Sequence, residues 1–449
     1  MSGQVLDQQG ATMYPSDKWI EKVNGDKNLK RRLDWTDAVF FAVLVAAVGY
    51  IFSQWSQKMD IYEQGILAVV PVILVWLGWL WRPLRTLFLG VFVITLFSLW
   101  LYDGDLANAQ KKFLLKYLIS SQSAILWMSA LFFMATVAYW ISYFSPKFDW
   151  MGSIFTWAAV VLGFVGLLVR WREGHLIAAD MGHIPVSNLY EVFVLFCLIT
   201  AMFYLYYEKR YNTRALGAFV LLVISSAVIF LMWYTFERDA ATIGPLNNAL
   251  NSWWMKLHVP ANFIGYGTFA LSAMVGFAYL VKHYANTNSW ASMIPLLIIG
   301  AGLIAEVFIF GDRGGVSVFW VVYFGISLVI VALILMLRKR IAARLPSFEI
   351  LDDIMYRAIA VGFAFFTVAT VLGAFWAADA WGTYWQWDPK ETWALVVWLN
   401  YAAWLHLRLM KGMRGVAAAY WALAGLVITT FAFIGVNIFL SGLHSYGQL

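Results

Sequence analysis

The amino-acid sequence predicts an all-α fold, a polytopic integral membrane helical bundle of about thirteen transmembrane helices with a cytoplasmic N-terminus and the C-terminus outside. Three observations carry that expectation. The chain is too apolar for water, its apolar residues fall in runs of spanning length, and its Lys and Arg are shared unevenly between the connecting segments.

Of the 449 residues, 62% are hydrophobic and 12% charged, against roughly 45–50% and 25% in soluble domains. Apolar stretches reach the ~17–25 residues that a span requires near 35–53, 64–81, 85–102, 123–144, 150–169, 188–206, 214–234, 258–281, 290–310, 317–338, 355–375, 391–410 and 418–440. In hydrocarbon only helices or closed barrels satisfy every N–H and C=O, and these runs are too long and continuous for barrel strands. With the N-terminus inside, Lys and Arg favour the cytoplasmic segments by about two to one, as the positive-inside rule requires.

In chain order, residues 1–34 form a polar cytoplasmic tail ending in Lys30-Arg31-Arg32, without the apolar core and cleavage site of a signal peptide. Residues 35–145 supply N-terminal transmembrane helices to which no role attaches, and 146–449 form the domain that carries the chemistry. Residues 105–121 and 244–257 are expected to be amphipathic helices lying at the interface. The +6 net charge sits mostly in short loops and reports topology rather than nucleic-acid binding. The single cysteine, Cys197, excludes an internal disulfide, a CxxC redox pair and a CxxCH haem-attachment site. The 25 Trp residues would by themselves say only that the protein has interfacial belts.

The densest signal is the outer loop at 376–393, which contains Trp381-Gly382-Thr383-Tyr384-Trp385-Gln386-Trp387-Asp388-Pro389-Lys390-Glu391-Thr392-Trp393. Asp388, Pro389 and Glu391 read as N-cap, N1 and N3 of a helix, a capping box. That reading leaves the crowding of Trp381, Tyr384, Trp385 and Trp387 unexplained. Such a cluster suits a π-rich surface for a large planar ligand. His258 opens one span and His444 closes the last, both at the depth of this loop. Two imidazoles there suit the axial positions of a haem iron; ordinary loop histidines are the alternative. His406 lies within a span, where an ionisable residue is a functional candidate, yet no other span offers a second histidine at its depth. Lys390 could reach a haem propionate, although a snorkelling side chain is the simpler expectation. Gly182-His183-Ile184-Pro185-Val186-Ser187-Asn188-Leu189-Tyr190-Glu191 has capping-box spacing from Asn188 to Glu191. His175 and His183 receive no role.

Taken together, WGTYWQWDPKETW at 381–393, LHLR at 405–408, GLHSYG at 442–447, GHIPVSNLYE at 182–191 and His258 at a helix start resemble the CcsA/ResC-type cytochrome c synthesis proteins. These belong to the haem-handling superfamily with a tryptophan-rich (WWD) motif. The resemblance covers about 150–449, with no recognisable motif at 290–338. It implies that haem b is bound as substrate, that His258 and His444 ligate the outer haem iron, and that His406 ligates iron on a transmembrane haem route. Trp381, Tyr384, Trp385, Trp387, Asp388 and Trp393 are then the haem-contacting set. It also implies a CcsB/ResB-type membrane subunit and apocytochrome c as partners, and a multi-pass protein of a bacterial-type inner membrane. Beyond the haem ligands no catalytic residue is expected, because no outer carboxylate or lysine stands out as a base. The implied activity is delivery of haem across the membrane and its thioether attachment to CxxCH. A haem exporter or chaperone serving a separate ligase, and a haem-free transporter, remain alternatives.

Overall fold

The computed structural model describes residues 5–6, 12–13, 34–287, 289, 293–300, 318–440 and 442–443. Apart from a two-residue antiparallel pairing of Val5–Leu6 with Thr12–Met13, the described regular structure is helical. The long helices are α1 (Trp35–Trp55), α2 (Ile61–Leu80), α3 (Pro83–Tyr102), α4 (Ser121–Ser142), α5 (Asp149–Ile177), α6 (Leu189–Tyr211) and α7 (Gly217–Arg238). They continue with α8 (Met255–His283), α9 (Val318–Met336), the short α10 (Arg338–Arg344), α11 (Phe348–Trp381), α12 (Pro389–Lys411) and α13 (Val416–Thr430).

Ten of the described helices are long and apolar enough to cross a membrane, or eleven if α9 and α10 count as one bent span. The all-α polytopic expectation therefore holds. The expected span at 290–310 lies mostly outside the described residues, of which 294–300 are helical. α12 has the length of a span, 23 residues, but is not among the ten; Lys390, Glu391, His406, Arg408 and Lys411 dilute its apolar character. The tail at 1–34 also lies almost wholly outside the described residues.

Two of the amphipathic expectations change. Residues 105–121 do not form one helix: a single turn, Asn108–Lys111, is followed by extended Lys112 and a π segment, Leu115–Ile119. Phe113 and Tyr117 are exposed on it all the same. Residues 244–257 hold only the short turn Asn248–Leu250 before α8 starts at Met255, so Trp253 and Trp254 precede a spanning helix directly.

Contacts divide the chain into Met1–Thr86 and Leu87–Leu449. In the first unit Asp34 caps α1 in a capping box with Asp37. Arg82 pairs with Asp34 and Arg85 with Asp37, so the polar foot of α1 is neutralised by the residues that open α3.

In the second unit α8 is the central helix, packed by α6, α7, α11 and α13. Its small residues make this possible. Without a hydrophobic drive between lipid-solvated helices, close approach of backbones and van der Waals contact hold a bundle together. Gly265 faces Phe366 of α11, Gly276 lies against the Ala419 carbonyl of α13, and Gly362 of α11 receives Thr268 and Phe269. Buried hydroxyls find partners across helices as well, Thr136 Oγ1 meeting Ser225 Oγ at 2.8 Å. Glu208 accepts from Tyr139, Tyr204 and Ser153 at 2.6–2.7 Å, which ties α4, α5 and α6 together.

A Cβ at Gly362 would lie 2.7 Å from the Phe269 ring. Gly362→Val is therefore expected to cost about 1–3 kcal/mol by overpacking, read as a lowered Tm in detergent. Gly325→Ala, where nothing lies within 4 Å, should leave Tm unchanged.

Candidate functional site

The site lies at the end of the second unit where α11 passes to α12. α11 stops at Gly382, whose φ of +80° forms a left-handed cap that side-chain-bearing residues rarely adopt. α12 restarts as the sequence predicts. Asp388 is its N-cap, Pro389 its first residue, and the Glu391 carboxylate accepts from the Asp388 N–H. Asp388 does more than cap: its Oδ1 accepts the N–H of Leu443 at 2.6 Å, which brings the end of the described chain to this loop. His444 lies outside the described residues.

A cavity of about 230 Å³ opens beside the loop, lined by His258, Asn262, Trp376, Tyr384, Trp385, Lys390 and Phe433 among others. His258 stands in the first turn of α8, as expected. Its Nδ1 lies 2.7 Å from the carbonyl oxygen of Ala369 on α11. A carbonyl can only accept, so Nδ1 carries a proton, and in the neutral imidazole the lone pair is on Nε2. The ring rests against Gly373, where a Cβ would come within 2.8 Å of Cε1. It lies near parallel to Trp376, with centroids 6.1 Å apart, and Trp376 is itself fixed by donation from Nε1 to the Ala249 carbonyl at 2.7 Å.

The loop aromatics divide. Tyr384 and Trp385 line the cavity. Trp381 packs edge-on against Trp376 at 5.0 Å, and Trp393 turns away from the cavity to Phe431 at 4.2 Å. Trp387 is exposed, meets Trp385 at 88°, and has a φ of +58°. The π-rich surface expected here includes rings meeting edge to face, the arrangement that ring quadrupoles favour. Lys390 does not snorkel: its Nζ turns inward and donates to the Phe433 carbonyl at 3.0 Å. That carbonyl belongs to a π segment, Phe431–Gly435, which interrupts the helix following α13.

One wall is the 182–188 segment, through Val186, Ser187 and Asn188. The expected capping box there is half formed. Asn188 accepts from the Glu191 N–H, but the Glu191 carboxylate turns to Ser187 and to a buried guanidinium instead. Arg170 Nε lies 2.7 Å from Glu191 Oε1, with both side chains almost wholly buried, and Arg170 Nη1 donates to the Ala241 carbonyl at 2.6 Å. This pair joins α5, α6 and the segment after α7 behind the wall. Tyr102 and Ser121 satisfy Glu173 nearby.

His183 contacts the carbonyls of Ile184 and Gly244 at 3.3 Å, and His175 lies against Gly182. His406 is remote from the cavity. It is exposed on α12 in a stripe with Val396, Leu399, Ala403 and Met410, while Arg408 two residues on binds Asp352 of α11. Ala369, Gly373, Trp376, Asn262 and Arg170 were not singled out by sequence. The Ala369 contribution is a backbone carbonyl and has no side-chain signal, whereas Arg170 could have been flagged as a charge at the end of a long apolar run.

These features define a helical membrane protein with an aromatic cavity and an oriented imidazole at one end. The cytochrome c assembly protein model matches residues 186–311 and 315–444, and the chain belongs to that family. The match includes the region around 290–338 in which no motif was recognisable. Among curated relatives, a cytochrome c biogenesis protein CcsA of Chlorella vulgaris is 32% identical over 71% of this chain and 93% of its own length. Proteins of the same description from Synechocystis sp. and Gloeobacter violaceus are 33% and 31% identical over 69% and 70% of this chain, and over 92% of each relative. The chain is a multi-pass membrane protein of cytochrome c biogenesis.

Breaking a buried ion pair strands the surviving charge, a cost of about 3–5 kcal/mol. Arg170→Met and Glu191→Met should each lower Tm strongly, and the double variant should lose less than either single change. Additive losses in a thermal-denaturation cycle would refute coupling of the pair.

Proposed function

We propose that the protein binds haem b as substrate at the end bearing the tryptophan loop, and there directs its covalent attachment to apocytochrome c. The observation that carries this reading is the His258 imidazole. It lines an aromatic cavity and has its Nδ1–H committed to the Ala369 carbonyl. Metal-bound histidines characteristically donate their other ring N–H to a carbonyl or carboxylate, which fixes the ring and raises its basicity. A haem iron would take Nε2 of His258, and His444 is the proposed second axial ligand. The bonding of the preceding residue, Leu443, to Asp388 supports that choice.

In this reading Trp376, Tyr384 and Trp385 contact the porphyrin, and Lys390 is placed to compensate a propionate. Trp381, Trp387, Asp388 and Trp393 shape and brace the loop. A cavity of about 230 Å³ falls below the ~300–1,000 Å³ usual for sites that engulf a ligand. One porphyrin edge would therefore stay outside, which suits vinyl groups that must meet another protein. Each CxxCH thiol adds across a vinyl, its sulfur bonding one carbon and its hydrogen going to the other, with no net oxidation. The protein contributes proximity and axial ligation.

The exposed His406 fits a ligand shared with a second membrane chain. An imidazole on an outward apolar stripe is costly against lipid and is better covered by protein. A CcsB/ResB-type subunit in a bacterial-type inner membrane, with the loop end outward, is the proposed setting. A haem chaperone serving a separate ligase would share this geometry. It is distinguished by whether the chain and its membrane partner alone attach haem to an apocytochrome.

His258→Ala and His444→Ala, purified with the partner, should each lose or shift the haem Soret band and stop maturation, with helicity retained and the spectrum restored by added imidazole. Unchanged haem content and maturation would end the assignment. Gly373→Ala, which pushes on the His258 ring without removing it, should weaken haem binding by about 10–100-fold. His406→Ala should lower haem acquired in cells while leaving the outer spectrum intact when haemin is supplied to the purified protein.

A further inference from the structure

A second cavity, of about 580 Å³, lies between α4, α7, α8, α9 and α13. It is roughly four times the ~150 Å³ that holds one benzene ring, space on the order of twenty carbon atoms. Its walls are Phe133, Trp140, Leu222, Phe277, Ile330 and Leu426, with other apolar side chains. Several of the hydroxyls on its walls are bonded within the protein: Thr136 to Phe132 and Ser225, Thr429 to Gly425, and Tyr323 with Ser226 and Ser327. Such a space holds hydrocarbon rather than water.

A basic segment follows at one end. Leu337 lines the cavity, and the chain then bends by 69° into α10, Arg338-Lys339-Arg340-Ile341-Ala342-Ala343-Arg344. The Trp140 ring contacts Tyr143 at 5.6 Å. Arg340 donates to the Tyr143 carbonyl at 3.3 Å and lies over the Phe144 ring at 4.5 Å. Arg338 is held by the carbonyls of Tyr284, Leu335 and Thr287. Among the described residues only Arg344 of the four α10 cations is paired with a carboxylate, Asp149 at 2.8 Å. The α10 end of the cavity thus carries surplus positive charge, and Lys339 and Arg340 are exposed.

We propose that this cavity binds one anionic glycerophospholipid. Its acyl chain fills the apolar space, and its phosphate sits against Lys339 and Arg340. The order of tail then phosphate matches the order of apolar wall then cations. Among the described residues no histidine lines this cavity, which argues against an iron porphyrin as its occupant. Tyr266 and Phe433 line both this cavity and the one beside His258, so the acyl chain packs behind a wall of the candidate haem site. The inference is independent of the haem reading.

The test is native mass spectrometry of the full chain from nanodiscs containing phosphatidylglycerol or phosphatidylcholine. The wild type is expected to retain one phosphatidylglycerol after detergent exchange and to prefer it severalfold over phosphatidylcholine. Lys339→Glu with Arg340→Glu should abolish the preference for the anionic lipid. Val223→Trp, which fills the space from α7, should abolish retention with helicity unchanged. The proposal is overturned if the wild type carries no lipid, if Val223→Trp and the charge reversal retain it as the wild type does, or if Val223→Trp displaces haem while lipid is unchanged.

Discussion

The site depends on how closely α8 and α11 approach. Gly265 and Gly362 remove side-chain bulk from the contact, and Gly373 does the same one layer further along. At that separation a main-chain carbonyl of α11 is within hydrogen-bonding distance of an imidazole on α8. Larger residues would widen the gap, and the ring would lose both its partner and its orientation. The bundle core and the proposed haem ligand are therefore parts of one packing arrangement, with glycines in the spans setting the geometry of a histidine at their end.

Around that contact the buried charges serve mainly as fasteners. Arg170 and Glu191 gather three segments behind one wall, and Asp388 gathers the start of α12 and Leu443. At the opposite end Arg408 and Asp352 bind α12 to α11, while Arg357, Asp353 and Tyr211 bind α11 to α6. Glu191, Asp352 and Asp353 each accept several hydrogen bonds as well as facing a cation, which is the condition for charge to be tolerated away from water. α12 is thereby held at both ends, although its exposed stripe bears His406.

Much of this was legible in the sequence because the physics involved is local or periodic. Apolar run length marked most of the spans, and Asp-Pro-Lys-Glu marked the start of α12 to the residue. His258 at the head of α8 followed from its place before an apolar run. The failures have physical causes too. Asn188 to Glu191 has the spacing of a capping box, but a buried Arg170 outcompetes the N-cap amide for the carboxylate, and that partner is remote in sequence. Residues 105–121 have helical periodicity, yet Lys112 is extended and breaks the turn. Crowded tryptophans marked a π-rich surface but not the angles between the rings, which ring electrostatics tilts against one another. Lys390 looked like a snorkelling side chain because the π segment that offers it a carbonyl leaves no sequence mark.

Trp387 holds a left-handed backbone conformation in spite of its bulky side chain, a state costing on the order of 1–3 kcal/mol. Glycine would occupy the same turn without strain, so the indole persists there against a conformational penalty. The loop tip therefore behaves as a sprung element, kept taut by the Asp388 cap beneath it. Its ring is presented to the surroundings before any encounter takes place, and an arriving surface need not supply the energy to set its angle.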